Sequence, residues 1–312
     1  MSALYDEDNF CLTQKKQILN LRAKLIHSIR SHFINHDFLE VETPLRIPSP
    51  APEEHIEAIP SGNWFLQTSP EIYMKRLLAA GYPRIFQISK CFRAGERGNK
   101  HLPEYTMLEW YVSGFNYFRL MAQCEEILKA VFTDMGHAEC ISWQDRKIVL
   151  NSPWEKITVA DAFARHAKIS CTEAIDKNQF EEVMVDFIEP NLGINRPTFL
   201  YDYPVEHAAL AKRNLGNPDV AERFELYIGA LEIANGFSEL TDANEQKQRF
   251  EKALAARAKK KWAQYTMPEK FLSSLKNIPE SAGIALGIDR LVMVLANTDC
   301  IDDVVTFTPE ML

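Results

Sequence analysis

The chain has 312 residues, 46% hydrophobic and 25% charged, with a formal net charge of −8. This is the balance of a soluble globular protein with a sizeable core, and it argues against a broad nucleic-acid-binding surface. No apolar run reaches membrane-spanning length, the acidic start "MSALYDEDNF" has no signal-peptide pattern, and six scattered cysteines (Cys11, Cys91, Cys124, Cys140, Cys171, Cys300) form no C-x-x-C pair, so reduced thiols in the cytoplasm are expected.

In chain order, residues 13–35 carry Ile18, Leu21, Leu25, Ile29 and Phe33 at spacings of three and four, which predicts an amphipathic helix. "DFLEVETPL" predicts a short strand stopped by Pro44, followed by a Pro-rich surface loop, "PSPAPEEH". "SPEIYMKRLLAAG" predicts a helix with Ser69 as cap, Pro70 in its first turn and Gly81 beyond its end. "RIFQISKCFR" and "EYTMLEWYV" alternate as strands joined by the polar link Ala94 to Glu104. Helix is expected over 116–135 and mainly over 158–189. "ERFELYIGALEIANGF" alternates on both sides of Gly229-Ala230, a two-residue hairpin turn. The basic run "RAKKKW" (257–262) reads as a solvated helix face. Strands linked at hairpin length, with no linker of domain-boundary character, predict a single α+β domain over 1–312: an antiparallel sheet flanked by helices.

Three stretches carry chemistry. On "EYTMLEWYV", Tyr105, Met107, Glu109 and Tyr111 share one face, so a carboxylate lies among phenols near Arg93; a structural Arg93–Glu109 ion pair is the alternative. In the Gly229-Ala230 hairpin, Tyr227 should oppose Glu232, with Glu225 on the same face. Two carboxylates so placed repel unless a cation such as Mg²⁺ bridges them or solvent covers them. In an unbroken strand, Asn235, Phe237 and Glu239 of "NGFSEL" would face away from Glu232, unless a bulge at Gly236 re-aims them. Finally, "GIALGIDRLVMVLA" puts Arg290 at a strand-to-helix junction, the place for an anion such as phosphate.

Together these stretches resemble the catalytic domain of class II aminoacyl-tRNA synthetases, specifically the lysyl branch. The helix and strand ending at Pro44 resemble the family's first, dimer-forming motif. "FRAGERGNKHLPEYTMLEWY" resembles the second motif and "GIALGIDR" the third, and the likeness runs from about residue 13 to 309. The resemblance implies ATP-dependent amino-acid activation with Mg²⁺. It implies catalytic roles for Arg93 and Arg290, and ATP contacts from these two and from Glu96, Lys100, His101, Tyr105, Glu232, Ile233 and Gly287. It implies an amino-acid pocket of Ser69, Pro70, Glu71, Glu109, Tyr111, Asn235, Phe237, Glu239 and Ala285, and a magnesium pair of Glu225 and Glu232.

Three departures refine it. The anticodon-binding domain of lysyl-tRNA synthetases has no counterpart; Phe-Arg-Asn-Glu of the second motif reads Phe92-Arg93-Ala94-Gly95, with Glu96 as the nearest substitute; and Ala285 stands where those synthetases have glycine. An added methyl in a pocket is worth ~1–3 kcal/mol of discrimination. These departures resemble the stand-alone elongation factor P lysine ligase family, which implies activation of (R)-beta-lysine and its transfer to a lysine of elongation factor P by a homodimeric cytoplasmic enzyme. The alternatives are a truncated lysyl-tRNA synthetase using α-lysine and tRNA, and a non-catalytic paralogue.

Overall fold

The computed structural model describes Phe10 and residues 12–312, so Cys11 and most of the acidic N-terminal stretch lie outside the described residues. The five cysteines within them are all free thiols. Eight strands form the central sheet: β1 (Leu39–Glu40), β2 (Arg84–Phe92), β3 (Glu104–Ser113), β4 (Glu155–Thr158), β5 (Thr198–Pro204), β6 (Val220–Ile228), β7 (Leu231–Ser238) and β8 (Ser281–Gly287), in spatial order 1-2-3-8-7-6-5-4. The six central strands pair antiparallel, as the sequence predicts, and the two short edge strands β1 and β4 pair parallel.

The two faces of the sheet separate along each strand with period two. Leu108, Trp110 and Val112 of β3 and Phe224, Leu226 and Ile228 of β6 join the main core with helices α1 (Lys16–Asn35), α3 (Tyr117–Asp134) and α5 (Ile288–Ala296). The opposite face carries Glu109, Tyr111 and Glu225. Beside it stand α2 (Glu71–Ala79) and α4 (Ala243–Lys259), whose Met74 and Phe250 share a smaller core with Tyr111. One face is thus spent on folding, leaving the other for a site.

Helix starts follow local chemistry. Asn116 accepts from Arg119 N to cap α3, Asp242 accepts from Asn244 N and Glu245 N to cap α4, and Ser69 Oγ accepts from Glu71 N at 3.0 Å to open α2. The segment 158–189 is helical in short pieces, and the hairpin Cys140–Trp143 with Arg146–Val149 has no counterpart among the expected elements.

Three expectations are corrected. The Pro-rich loop is not a surface loop throughout, since Ser49, Pro50, Ala51 and Pro52 are buried. The basic run is not wholly a solvated face. Arg257 is fully buried: its guanidinium donates to the carbonyls of Glu53, Ile56 and Ala263 and lies 3.9 Å from the Tyr265 ring centroid, while Lys259, Lys260 and Lys261 do face solvent. The β6–β7 hairpin turns at Gly229-Ala230 and pairs Tyr227 with Glu232, but its bulge falls at Ile233, not Gly236. Gly236 is needed for packing instead, since a Cβ there would sit 2.6 Å from Phe224 Cζ.

Both turn residues have positive φ, 63° at Gly229 and 61° at Ala230. A Cβ on Gly229 would meet Trp143 Cδ1 at 2.2 Å, whereas Ala230 bears only the left-handed backbone cost. Gly229→Ala should therefore destabilise by ~2 kcal/mol or more, and Ala230→Gly should leave the melting temperature unchanged or raised. Thermal denaturation of the two variants checks the contrast, and equal losses would overturn it.

Candidate active site

A cleft of about 1470 Å³ opens on the free face of the sheet. It is lined by β3 (Met107, Glu109, Tyr111), β6 (Arg223, Glu225), β7 (Glu232, Asn235, Phe237) and β8 (Gly283, Ala285), with Ser69, Glu71, Arg93 and the loop Pro52–Ile56 at its margins. The Ile233 bulge makes this possible. Leu226 pairs with Ala234 and Glu225 with Asn235, so the alternation flips between Glu232 and Asn235. Ile233 and Ala234 both enter the core, and Glu232, Asn235 and Phe237 all line the cleft.

One end of the cleft is acidic and closed. Glu109 accepts from Ser69 Oγ at 2.5 Å and from Tyr111 Oη at 2.9 Å. Lys75 Nζ lies 2.6 Å from Glu71 and 2.5 Å from Glu239. Arg93 makes no bond to Glu109, so a structural pair between them is set aside. Burial, reinforced by the Glu71 charge, pushes Glu109 up to about 8, and no cation among the described residues forms an ion pair with it. Lys75, although buried, is held above the usual lysine range by Glu239 and Glu71. Gly283 is required here, because a Cβ would lie 2.2 Å from Tyr111 Cε1 and 2.7 Å from Glu239 Oε1. Ala285 pairs with Glu109 on one side and Asn235 on the other, where its methyl reaches the pocket.

The other end is cationic. Arg290, in the first turn of α5, donates to Glu232 O at 2.8 Å and Glu232 Oε2 at 3.0 Å, and its Nη2 lies 2.7 Å from His101 Nε2. Burial, then the Arg290 charge, lowers the His101 pKa, which keeps that ring neutral opposite the guanidinium. Asp289 works differently. It is buried, accepts from Arg22 at 2.6 Å and from Thr106 N at 2.7 Å, and so anchors the start of α5 to α1 and β3. Gly287 precedes this helix with room for a side chain, its nearest neighbour being Arg290 Cδ at 3.8 Å.

Between the two ends lies Arg93. Its guanidinium is 5.2 Å from the Tyr105 ring centroid and 3.7 Å from Glu96 Oε1, and its Nε is buried with no protein partner. A buried donor left open to a cleft is what an anionic ligand would satisfy.

The carboxylates Glu225 and Glu232 sit close together: burial first, and then the Glu232 charge, raises the Glu225 pKa. Glu225 Oε1 is 2.6 Å from Arg223, and its Oε2 accepts from Tyr203 and Tyr227, each at 2.6 Å. Glu232 uses one oxygen on Arg290 and is partly exposed to the cleft. Oxygen donors that repel one another in this way fit Mg²⁺, which takes one or two carboxylates together with substrate phosphates. Among the described residues no cluster of three or more His, Cys, Asp and Glu could hold a metal by itself, so such an ion would depend on the phosphates.

Of the expected residues, Ser69, Glu71, Arg93, Glu109, Tyr111, Glu225, Glu232, Asn235, Phe237 and Ala285 line the cleft. Arg290 and His101 join it through Glu232, and Glu96 and Tyr105 stand beside Arg93, while Lys100, Gly287 and Glu239 are outside its lining. Ile233 differs, as its side chain is in the core and only its main chain is left for a nucleotide. Pro70 serves to start α2. Sequence reasoning missed Lys75, Arg223, Gly283 and Glu53. Lys75 and Arg223 stand in helix and strand patterns that give surface cations no distinguishing mark, and Glu53 lies in the loop read as surface. Burial and the Glu71 charge push Glu53 up to about 7.

A large antiparallel sheet with helices packed on one face and a polar cleft on the other is the class II synthetase fold. The chain belongs to this family: residues 9–311 match the tRNA synthetases class II (D, K and N). More particularly, it is 38% identical over 308 residues to the elongation factor P--(R)-beta-lysine ligase of Pectobacterium carotovorum subsp. carotovorum (strain PC1), covering 93% of this chain and 94% of the relative. The ligases of the same name from Mannheimia succiniciproducens (39% over 308 residues, 92% and 93% covered) and Haemophilus influenzae strain PittGG (38% over 309 residues, 93% and 94% covered) are similar to the same extent.

At pH 7 the Glu109 carboxyl, with its pKa pushed up to about 8, is mostly protonated before a cation arrives. Binding an ammonium there favours the carboxylate and expels a proton. The apparent affinity for an amino-acid substrate should rise as pH increases from 6 to 8. Calorimetry in buffers of differing ionisation enthalpy should show proton release, lost in Glu109→Gln; no release in the unaltered protein would overturn this assignment.

Proposed function

We propose that this chain activates (R)-beta-lysine with ATP and passes it to the ε-amine of a lysine on elongation factor P. The observation that carries the reading is the cleft itself, which joins an acidic pocket containing Ala285 to an arginine-lined channel, in a chain whose relatives of nearly equal length bear that ligase name.

The chemistry follows from the residues. The substrate carboxylate attacks the α-phosphorus, the bond to the bridging oxygen breaks, and pyrophosphate leaves. An acceptor amine then attacks the acyl carbon, loses a proton and releases AMP. Arg93, buried with an unused Nε, would hold the carboxylate and α-phosphate together. Arg290 would lie along the nucleotide phosphates, with Tyr105, Lys100, His101 and Gly287 around the base and triphosphate. Glu96 stands 3.7 Å from Arg93, near enough to replace the second-motif glutamate as its partner. Glu225 and Glu232 would hold Mg²⁺, which when bound supplies neutralisation of phosphate charge. Glu71, Glu109 and Glu239, together with Tyr111, Asn235 and Phe237, would receive the two ammonium groups, since buried cations need carboxylates around them.

The same reading takes the chain as one catalytic domain acting in the cytoplasm on a protein acceptor rather than tRNA; no helix among the described residues is long and apolar enough to cross a membrane. We also infer a homodimer. Ile34 on α1, Leu39 on β1 and Phe118 on α3 are exposed large apolar side chains, and α1 contacts both β1 and α3. A second copy covering them would remove apolar area from water.

ATP–pyrophosphate exchange tests the function directly. Purified protein should exchange strongly with (R)-beta-lysine and weakly with L-α-lysine, and preference for α-lysine would return the problem to tRNA. Arg93→Ala should cut exchange by about 10²-fold or more while leaving the melting temperature near that of the parent. Ala285→Gly should shift the isomer ratio toward α-lysine by roughly tenfold; an unchanged ratio would remove Ala285 as the selector.

A further inference from the structure

Gln246 lies in the first turn and a half of α4, is 1% exposed, and leaves both Oε1 and Nε2 buried without a hydrogen-bond partner. Such an orphaned amide is destabilising unless something else satisfies it. The residue lines the cleft. Ala243 and Phe250, three residues before it and four after, share its helix face; Phe250 belongs to the small core that contains Tyr111 and Leu210, and Ala243 and Phe237 pack against that core. Gln246 therefore lies on the helix face that packs on the Tyr111 and Phe237 side of the cleft.

A second, independent observation stands on the same side. Glu239 Oε2 is paired with Lys75 Nζ at 2.5 Å, but its Oε1 is buried with no protein partner. Gln246 lines the cleft, and the free Glu239 Oε1 lies behind Gly283, another lining residue. A primary ammonium carries three donors and no acceptor. Glu239, Glu109 and Gln246 together offer it three acceptors, one of them neutral. The neutral one matters because Glu71, Glu109 and Glu239 already exceed the single charge of Lys75. A further carboxylate would leave the site over-acidic once the ammonium is bound, and an amide oxygen completes the ligand set without adding charge.

We propose, resting on the activation reading above, that Gln246 is a substrate-binding residue that accepts a hydrogen bond from the distal ammonium of the diamino-acid substrate through Oε1. Its amide, which has no protein partner, is completed by an ammonium and not by a methyl group.

The test uses Gln246→Met, which keeps length and removes both polar atoms. Calorimetric affinities are measured for (R)-beta-lysine and for 3-aminohexanoic acid, the same molecule without its distal amine. The variant should bind beta-lysine roughly tenfold more weakly and 3-aminohexanoic acid with unchanged affinity, and the ligand-free melting temperature should stay level or rise. Equal loss for the two compounds, or a lowered ligand-free melting temperature, would assign Gln246 a purely structural role and overturn the proposal. If the unaltered protein shows no exchange with beta-lysine but does with L-α-lysine, the isomer assignment fails alone. The same comparison with L-α-lysine and L-2-aminohexanoic acid then decides the role of Gln246.

Discussion

The site depends on one inserted residue. A regular β7 would send Glu232 to one side of the sheet and Asn235, Phe237 and Glu239 to the other, dividing the Arg290 end of the cleft from the Glu109 end. The bulge at Ile233 reverses the alternation and puts them on one face, while Ile233 and Ala234 both fill the core. The tight turn before it, with Gly229 against Trp143, fixes the register on which this reversal rests. The register is local, but its effect spans the cleft: Arg290 can meet Glu232 only because Glu232 stays on the side where α5 begins.

The second constraint is charge. Buried carboxylates outnumber buried cations at the closed end of the cleft, and burial raises Glu109 and Glu239 to about 8. Between the ends Arg93 keeps an unused buried donor. The acidic pocket and Arg93 are incomplete in opposite senses. On the activation reading proposed above, a molecule with ammonium groups at one end and a carboxylate, joined to phosphate, at the other answers both. Lys75 prevents the acid end from becoming unworkable, and Asp289, held by Arg22 and Thr106, fixes α5 at the opposite end.

Much of this is legible in the chain. Period-two alternation in β3, β6 and β7 sets the faces, and Gly229-Ala230 sets the hairpin. What cannot be read there is the consequence of tertiary packing. Arg257 resembles its lysine neighbours in sequence, yet it is buried because three backbone carbonyls and Tyr265 enclose it. Gly236 invites a bulge, being the residue with the least conformational cost, whereas Ile233 takes it because two consecutive apolar side chains can both enter the core there. Lys75 and Arg223 look like ordinary surface cations; only their partners show otherwise.

Arg257 has a wider effect than its own burial. By donating to Glu53 O and Ile56 O, it fastens the Pro-rich loop at the mouth of the cleft to the C-terminal end of α4. Tyr265 Oη accepts from Ala58 N, and Ala94 N donates to Glu57 O at 2.7 Å, one residue from Arg93. The loop, the helix end and the root of the second-motif hairpin are therefore one mechanical unit. Lifting the loop would break the main-chain bond beside Arg93, so the loop is no free flap: opening the mouth and loosening the support of Arg93 are one displacement.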